Sequence, residues 1–221
     1  MLYIVATPIG NLEDMTLRGI RTLKEVDYVF AEDTRVTKKL LNHFEIETTV
    51  YRYDEFTKMH QIPNIINLLK EGKNIALVTD AGTPCISDPG YELVDAAHKE
   101  GIKVVPIPGA SALTASASVA GISMRRFCFE GFLPKKKGRQ TLLKELANEE
   151  RTIVNYESPF RIEKTLKDIE TFIGVREVVI IREITKIYEE IMRGTTTELI
   201  ERLSKNPIKG EIVLLIKGKE D

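Results

Sequence analysis

Short apolar runs alternate with stretches of helical periodicity through the first half of the chain. The pattern predicts strands at LYIVA, YVFAED, NIALVTD and KVVPIP, each followed by a helix, at TLRGIRTLKEV, TRVTKKLLNHF, YELVDAAHKEG and SALTASASVAG. In the first helix Leu17, Ile20, Leu23 and Val26 form one apolar stripe, and Gly101 is expected just past the end of the third. Nearly all-apolar strands that alternate with helices are typical of a parallel sheet with crossover helices.

The pattern changes after residues 121–127, where the helical periodicity stops. Strands are then predicted at FCFEGF, TIVNYES, VREVVIIREI, EEIMRGT and GEIVLLIKG, and helices at GRQTLLKELANEE, PFRIEKTLKDIETFIG and TTELIERLSK. Only TKIY separates VVIIREI from EEIMRG, so we expect an antiparallel hairpin inside a mixed sheet. The sequence therefore predicts two α/β domains, residues 1–118 and 119–221, joined near residues 118–126.

Composition limits the classes of function. The 221 residues are 43% hydrophobic and 29% charged with a formal net charge of −1, which is typical of a soluble globular protein without global attraction for polyanions. Cys85 and Cys128 lie far apart and there are only three histidines, so neither a disulfide framework nor a metal site is expected. No apolar run approaches the roughly 20 residues of a membrane helix, and the start MLYIVATPIG is too short for a signal peptide. We therefore expect a cytoplasmic protein.

Three loops rich in small residues and proline follow strands of the predicted parallel sheet: ATPIGN, TDAGTPCISDPG and PGASA. Ligands of open α/β sheets bind beyond the carboxyl ends of strands, and small residues let the main chain approach a ligand closely. Taken singly, Asp80 or Asp88 could cap a turn and Ser111 could cap a helix, but three such loops together favour a ligand site. No loop matches GxxxxGK[ST], or a GxGxxG that opens a helix, which disfavours a nucleoside triphosphate and NAD.

Eight stretches, in order along the chain, resemble the successive motifs of the ribosomal RNA small-subunit methyltransferase I family, which has the tetrapyrrole methylase fold. They are VATPIGNLEDMTLR, AEDTRVTKKLL, VTDAGTPCISDPG, VVPIPGASAL, FEGFLPKKKGR, YESPFRIEKTL, REITKIYEEIMRGT and KGEIVLLIKG. The resemblance implies S-adenosylmethionine as cofactor, held in a cleft between two α/β domains. It also implies 2′-O-methylation of a cytidine ribose in the decoding region of 16S rRNA, and a homodimer.

The resemblance also implies cofactor contacts, one position at a time. Where the wider family has a GDP loop, this chain has Gly82, Thr83 and Pro84, so a threonine replaces the acidic residue and Asp80 could compensate. Tyr156 aligns with an apolar residue over the cofactor, and an ordinary packing role for it is equally open. The implied cofactor-binding residues are Pro8, Ile9, Asp80, Gly82, Thr83, Ile86, Ser111, Ala112, Tyr156, Lys209 and Gly210.

Methyl transfer to a ribose hydroxyl requires alignment and a base, or a charge stabiliser, for the oxygen that loses its proton, but no metal. The candidates are the charged residues of the EDTR, YESPFR and REITK motifs, namely Glu32, Asp33, Arg35, Glu157, Arg161, Arg182, Glu183 and Lys186. Of these, Asp33, Arg35, Glu183 and Lys186 are the predicted catalytic residues. Asp33 could instead only cap the following helix, whereas Arg35 suits phosphate binding.

A basic loop in the second predicted domain is the candidate contact to RNA. The suspected contacts to phosphates of 16S rRNA in the 30S subunit are Arg125, Arg126, Lys135, Lys136, Lys137 and Arg139, although most such runs are solvated surface. The modest net charge favours the shaped surface of an assembled subunit over free rRNA. Two other functions stay open: a precorrin-type tetrapyrrole methyltransferase of the same fold, and a non-catalytic ribosome-binding factor.

Overall fold

The computed structural model describes residues 1–219. The chain divides into two compact units, Met1–Ser111 and Ala112–Asp221. The boundary expected after residue 118 falls inside the helix Ala112–Val119, so the division comes before that helix rather than after it. None of the helices described up to residue 219 is both long and apolar enough to cross a membrane.

The first unit is built on a five-stranded parallel sheet, as the alternating pattern predicts. Its strands are β1 (Leu2–Val5), β2 (Tyr28–Ala31), β3 (Thr49–Arg52), β4 (Ile75–Val78) and β5 (Val104–Ile107), in the spatial order β3-β2-β4-β1-β5. They are connected by helices α1 (Leu17–Glu25), α2 (Thr34–His43), α3 (Lys58–Lys70) and α4 (Tyr91–Lys99), with a 3-10 turn at Leu12–Asp14.

The helices of the first unit cover both faces of this sheet. Leu23 of α1 and Leu41 of α2 belong to one hydrophobic core, and Ile65 of α3 and Leu93 of α4 belong to the other. The chain that leaves β1 therefore turns to one face, and the chain that leaves the adjacent strand β4 turns to the opposite face. Such a topological switch point opens a crevice at the carboxyl ends of the two strands, where ligands of open α/β sheets bind.

The second unit is built on a mixed five-stranded sheet with the spatial order β6-β7-β10-β8-β9. Its elements are α5 (Ala112–Val119), β6 (Phe127–Phe132), α6 (Arg139–Leu146), β7 (Thr152–Glu157), α7 (Ile162–Phe172), β8 (Glu177–Arg182), β9 (Glu190–Thr195), α8 (Thr196–Lys205) and β10 (Ile212–Ile216). Strands β6 and β7 are parallel and the other pairs are antiparallel, including the predicted hairpin of β8 and β9. Residues of α6, α7 and α8 pack on one face, and residues of α5 pack on the other.

The local predictions differ from the structure in three places. Strand β3 and helix α3 have no counterpart among the predicted elements. The apolar stripe of α1 is shorter than expected, because Leu23 and Val26 are buried but Leu17 is exposed.

Gly101 lies two residues past α4 with φ +67°, which confirms its predicted position beyond the helix end.

Candidate functional site

Three loops of the first unit meet at the carboxyl edge of the parallel sheet. The backbone N–H of Thr7, after β1, donates to the carbonyl of Gly82 at 2.9 Å, and the N–H of Gly82 donates back to the Thr7 carbonyl at 3.0 Å. The hydroxyl of Thr83 donates to the carbonyl of Ala110, after β5, at 3.2 Å. The prediction that these three strand exits share one edge is confirmed, and the exits are joined largely through main-chain atoms.

Small residues allow this close approach. A Cβ added to Gly109 would lie 3.0 Å from the Cβ of Ala6, which is tighter than ordinary packing allows. Gly82 has φ +90°, a conformation that glycine adopts at least cost, and a Cβ there would lie 3.4 Å from Cγ2 of Ile9. Pro8 and Ile9 are buried beneath this edge, whereas Ile86 is exposed on it.

The loop between β4 and α4 holds its backbone in uncommon conformations. Cys85 and Ser87 have φ +71° and +64°, values that side-chain-bearing residues rarely adopt, and Gly90 has φ +147°. A Cβ on Gly90 would lie 2.6 Å from Sγ of Cys85, so the half-buried thiol occupies the space that this glycine leaves. Strain of this kind persists where surrounding contacts fix it, and it concentrates at ligand sites.

Three carboxyl groups, Glu32, Asp80 and Asp88, belong to the same edge. Oε2 of Glu32, directly after β2, accepts a hydrogen bond from the Thr79 hydroxyl at 3.2 Å, and Oδ1 of Asp80 accepts one from the backbone N–H of Asp33 at 3.0 Å. Burial, followed by the charge of Asp80, raises the pKa of Glu32. Burial, followed by the charges of Glu32 and Asp80, raises the pKa of Asp88 to about 6.

Asp80 shows the same trend, since loss of hydration raises the pKa of its carboxyl although the residue as a whole is exposed. The sequence marks Asp88 as a turn starter in a loop of the expected ligand site but does not single it out as a catalytic residue, because burial and the neighbouring carboxylates are set by the fold. Its one sequence signal is a carboxylate before proline inside a long loop.

Within residues 1–219, no cluster of His, Cys, Asp and Glu has the arrangement needed to hold a metal ion.

Asp33 and Arg35, two of the predicted catalytic residues, form a local ion pair at the start of α2. Oδ1 of Asp33 accepts the backbone N–H of Arg35 at 2.8 Å, and Nη2 of Arg35 lies 2.6 Å from Oδ2. These hydrogen bonds lower the pKa of Asp33, so its carboxylate stays ionised and is poorly suited to accept a proton. The geometry favours the capping role, while the guanidinium of Arg35 remains exposed to solvent.

Glu183 and Lys186, the other two predicted catalytic residues, lie in the loop between β8 and β9 of the second unit. Nζ of Lys186 lies 3.0 Å from Oε1 of Glu183 and 2.8 Å from Oε2 of Glu211. A hydrogen bond from the backbone N–H of Glu211 lowers the pKa of Glu183. Partial burial disfavours the charged form of Lys186, but the two carboxylates outweigh it and raise the pKa.

Gly210, a predicted cofactor residue, makes room for this network. It has φ +94°, and a Cβ there would overlap the side chain of Glu183. The preceding carbonyl of Lys209 accepts a hydrogen bond from Nη1 of Arg182 at 3.0 Å. Tyr156 packs edge-on against Phe129, with ring centroids 5.0 Å apart, so the aromatic packing role left open by the sequence is present.

The charged residues of the YESPFR motif form a buried network rather than an open base. Glu157 is buried and accepts hydrogen bonds from the Thr165 hydroxyl at 2.6 Å and the Ser158 N–H at 2.7 Å. Its carboxylate also pairs with Nη2 of Arg161 at 2.6 Å. With its oxygens already occupied, Glu157 is suited to holding the loop after β7.

The expected RNA contacts of the basic loop differ in their exposure to solvent. Lys135, Lys136 and Lys137 are exposed, as are Arg125 and Arg126, but Arg139 is buried. Its Nε donates to Oδ2 of Asp168 at 2.8 Å and its Nη2 donates to the Thr165 hydroxyl at 2.9 Å. The assignment of Arg139 as a contact to RNA is therefore wrong, because its guanidinium fastens α6 to α7.

Comparison with known proteins places the chain in a family. A family model described as Tetrapyrrole (Corrin/Porphyrin) Methylases matches residues 1–200. The chain belongs to the tetrapyrrole methylase family. The resemblance inferred from the sequence motifs is thereby confirmed, together with the predicted class of two α/β units with one parallel and one mixed sheet.

Relatives within the tetrapyrrole methylase family match nearly the whole chain. A Thermotoga maritima protein named Ribosomal RNA small subunit methyltransferase I is 50% identical over 219 residues, 99% of either chain. A protein of the same name from Halalkalibacterium halodurans is 52% identical over 218 residues, 98% of this chain and 75% of that one. The solved structure of the cobalt-precorrin-4 methyltransferase CbiF has the same fold, with a TM-score of 0.72 at 21% identity over 98% of this chain and 94% of that one.

Proposed function

We propose that this protein transfers a methyl group from S-adenosylmethionine to the 2′-oxygen of a cytidine ribose in the decoding region of 16S rRNA. The observation that carries the proposal is the identity of about half of all residues, over nearly the full length, with proteins named Ribosomal RNA small subunit methyltransferase I. We infer that the protein acts in the cytoplasm, as a homodimer, on the assembled 30S subunit.

The loop edge of the first unit fits the proposed cofactor. Gly82 and Gly109 let its loops pack closely against each other, and its carboxylates suit a ligand that carries positive charge. S-adenosylmethionine, when bound, supplies a methyl group on a positively charged sulfur. We assign its binding in the first unit to Pro8, Ile9, Asp80, Gly82, Thr83, Ile86 and Ser111, and in the second unit to Ala112, Tyr156, Lys209 and Gly210.

A ribose hydroxyl must lose its proton, and a base works best when its pKa lies near the working pH. Asp33 and Glu183 have lowered pKa values and Lys186 has a raised one, so all three hold their charged forms near neutral pH. Asp88 lies in the same loop as the proposed cofactor residues Asp80 and Gly82, and its raised pKa, about 6, is better matched to accepting a proton. We therefore propose Asp88 as the proton acceptor, and charge-stabilising roles for Arg35 and Lys186.

The test is methyl transfer from methyl-labelled S-adenosylmethionine to 30S subunits from cells that lack the modification. We expect label in 16S rRNA at one cytidine, detected as resistance of the adjacent phosphodiester to alkaline hydrolysis. Free 16S rRNA and a precorrin serve as competing acceptors. Label in the precorrin instead would assign the chain to tetrapyrrole methylation. Calorimetry that detects no binding of S-adenosylmethionine would favour a non-catalytic ribosome-binding factor.

A further inference from the structure

Four loops of the second unit lie along one side of the mixed sheet, where the strands begin or end. Strand register pairs Phe132 with Tyr156, Ile212 with both Glu157 and Arg182, and Arg182 with Glu190. The ends of β6, β7 and β8 and the starts of β9 and β10 therefore lie at the same edge. We call this the four-loop edge; it consists of residues 133–138, 158–161, 183–189 and 206–211, with Phe132 at the end of β6.

Large apolar side chains stand out from this edge into solvent. Phe160 is 95% exposed, Tyr188 is 70% exposed and Phe132 is 59% exposed, and Ile187 beside Tyr188 is 96% exposed. Single exposed apolar residues are common on protein surfaces, but several on adjacent loops mark an interaction site. The three rings come from three different strand ends, so they are spread along the edge rather than stacked on each other.

Hydrogen bonds and ion pairs hold the loop that presents Tyr188. Glu183 and Thr185 have φ +49° and +69°, and the backbone N–H of Thr185 donates to Oε2 of Glu189 at 2.6 Å. The ion pairs of Lys186 link this loop to the start of β10. An unfavourable backbone is thus kept in place although it leaves Ile187 and Tyr188 largely exposed, which indicates that their exposed position serves another molecule.

The charge of the four-loop edge opposes that of the whole chain. Its loops contain five lysines and one arginine against three glutamates, a net charge of +3, while the chain as a whole carries −1. Lys135, Lys136 and Lys137 are exposed and make no ion pair with any residue up to position 219. A partner with negative charge is therefore favoured over a second copy of this chain, because a two-fold contact would set the same lysines against each other.

We propose that the four-loop edge binds single-stranded RNA, with unpaired bases stacked on Phe160, Tyr188 and Phe132 and phosphates neutralised by Lys135, Lys136 and Lys137. The inference rests on the proposed function and names how the same substrate is held. An RNA duplex keeps its bases stacked and hidden, so exposed rings suit unpaired nucleotides. Four strand spacings separate β6 from β9, about 19 Å, enough for several nucleotides to lie along the edge.

The experiment measures binding of a fluorescent, unstructured RNA oligonucleotide to Phe160→Ala and Tyr188→Ala variants. Each variant should weaken binding about tenfold, because a base stacked on an aromatic ring contributes that much to affinity, and the dependence on salt should not change. Tyr188→Phe keeps the ring and should bind as the unchanged protein does. The matched control is Phe56→Ala, which removes an equally exposed ring, 90% exposed, from the first unit and should leave the affinity unchanged.

Replacement of Lys135, Lys136 and Lys137 together by Ala should act differently. The slope of log affinity against log salt should become shallower by about 2, as expected for three phosphate contacts to a single strand. Equal binding by all ring variants, or the same loss in Phe56→Ala, would overturn the proposal. So would sedimentation showing that Phe160→Ala and Tyr188→Ala dissociate a dimer without changing RNA affinity, since the edge would then be a subunit interface.

The outcomes separate this inference from the proposed function. If the unchanged protein methylates 30S subunits but its ring variants bind and methylate them equally well, the proposed function stands and the inference is wrong. If the ring variants lose RNA binding while the unchanged protein transfers no methyl group to any rRNA, the inference stands and the proposed function is wrong. Thermal melting of each variant checks that the fold is retained.

Discussion

Replacing Asp88 by Asn should stabilise the folded protein at pH 8 and do so less at lower pH. The folded state raises the pKa of Asp88 from 3.8 to about 6, chiefly through burial, so the folded protein holds this proton more tightly than the unfolded chain. The stabilisation from the protonated carboxyl is fully present below pH 3.8 and is lost as the pH rises through about 6. Asparagine stays neutral throughout and avoids that loss.

The size of the effect follows from the shift. Roughly two pKa units correspond to about 3 kcal/mol at pH 8, since each unit is worth about 1.4 kcal/mol. Asp88 is only half-buried, and solvent screening reduces such energies, so we expect about half of this, ~1.5 kcal/mol. Linkage with the same two pKa values gives about 1.6 kcal/mol at pH 5, and the same halving for solvent screening leaves ~0.8 kcal/mol. The expected rise in melting temperature at pH 8 is about 3–6 °C.

The assay is urea denaturation followed by circular dichroism at pH 5 and pH 8, because the chain has no tryptophan. The matched control is Asp95→Asn on α4, which removes an exposed carboxylate paired with Lys99 and should cost a few tenths of a kcal/mol at either pH. An Asp88→Asn variant whose stability gain is the same at both pH values, or that is less stable at pH 8, would refute the reasoning from burial.

Four further substitutions, one of them a control, test the glycine and arginine positions. Gly82→Ala and its control Gly72→Ala should each lower the stability of the fold by about 1–2 kcal/mol, because both glycines have φ near +90°. Only Gly82→Ala should also weaken S-adenosylmethionine binding, at least tenfold by calorimetry. Equal affinities of the two variants would contradict a cofactor role for the loop. Gly210→Ala should lower stability by about 2 kcal/mol or more because its Cβ overlaps Glu183, and an unchanged melting temperature would argue against that overlap. Arg139→Leu should cost about 3 kcal/mol in urea denaturation because it unpairs a buried ion pair, and a loss of RNA affinity without loss of stability would restore its role as an RNA contact.

Most of the fold could be predicted because most elements bury an apolar face that is visible in the sequence. Strand β4 is buried along its whole length and stands out as an apolar run, whereas β3 is a four-residue strand at the sheet edge with mostly exposed side chains. Helix α3 contains Pro63, which masks a helical pattern whose buried residues are Ile65, Ile66 and Leu69. Both missed elements depend on neighbours that the sequence pattern does not reveal.

The candidate site was predictable in its position but less so in its chemistry. Loops after parallel strands share an edge by topology alone, so the meeting of Thr7 with Gly82 could be expected. The carboxylates could not be ranked, because Asp33 and Asp88 are the same residue type and differ only in what surrounds them. Arg139 was misassigned for the same reason, since sequence proximity to three exposed lysines gives no sign of the buried carboxylate it pairs with.

The length of the loop between β4 and α4 finds its explanation in the topology of the first sheet. A strand and the helix that follows it need only about 2–6 connecting residues, yet this connection is twelve residues long, residues 79–90, and holds Cys85 and Ser87 at positive φ at a cost of about 1–2 kcal/mol each. A loop that only connected β4 to α4 would not need this unfavourable backbone. At the switch point, however, the exits of β1 and β4 turn to opposite faces, and the loop must cross back to pair Gly82 with Thr7. The strained backbone is therefore best understood as what shapes the proposed cofactor site.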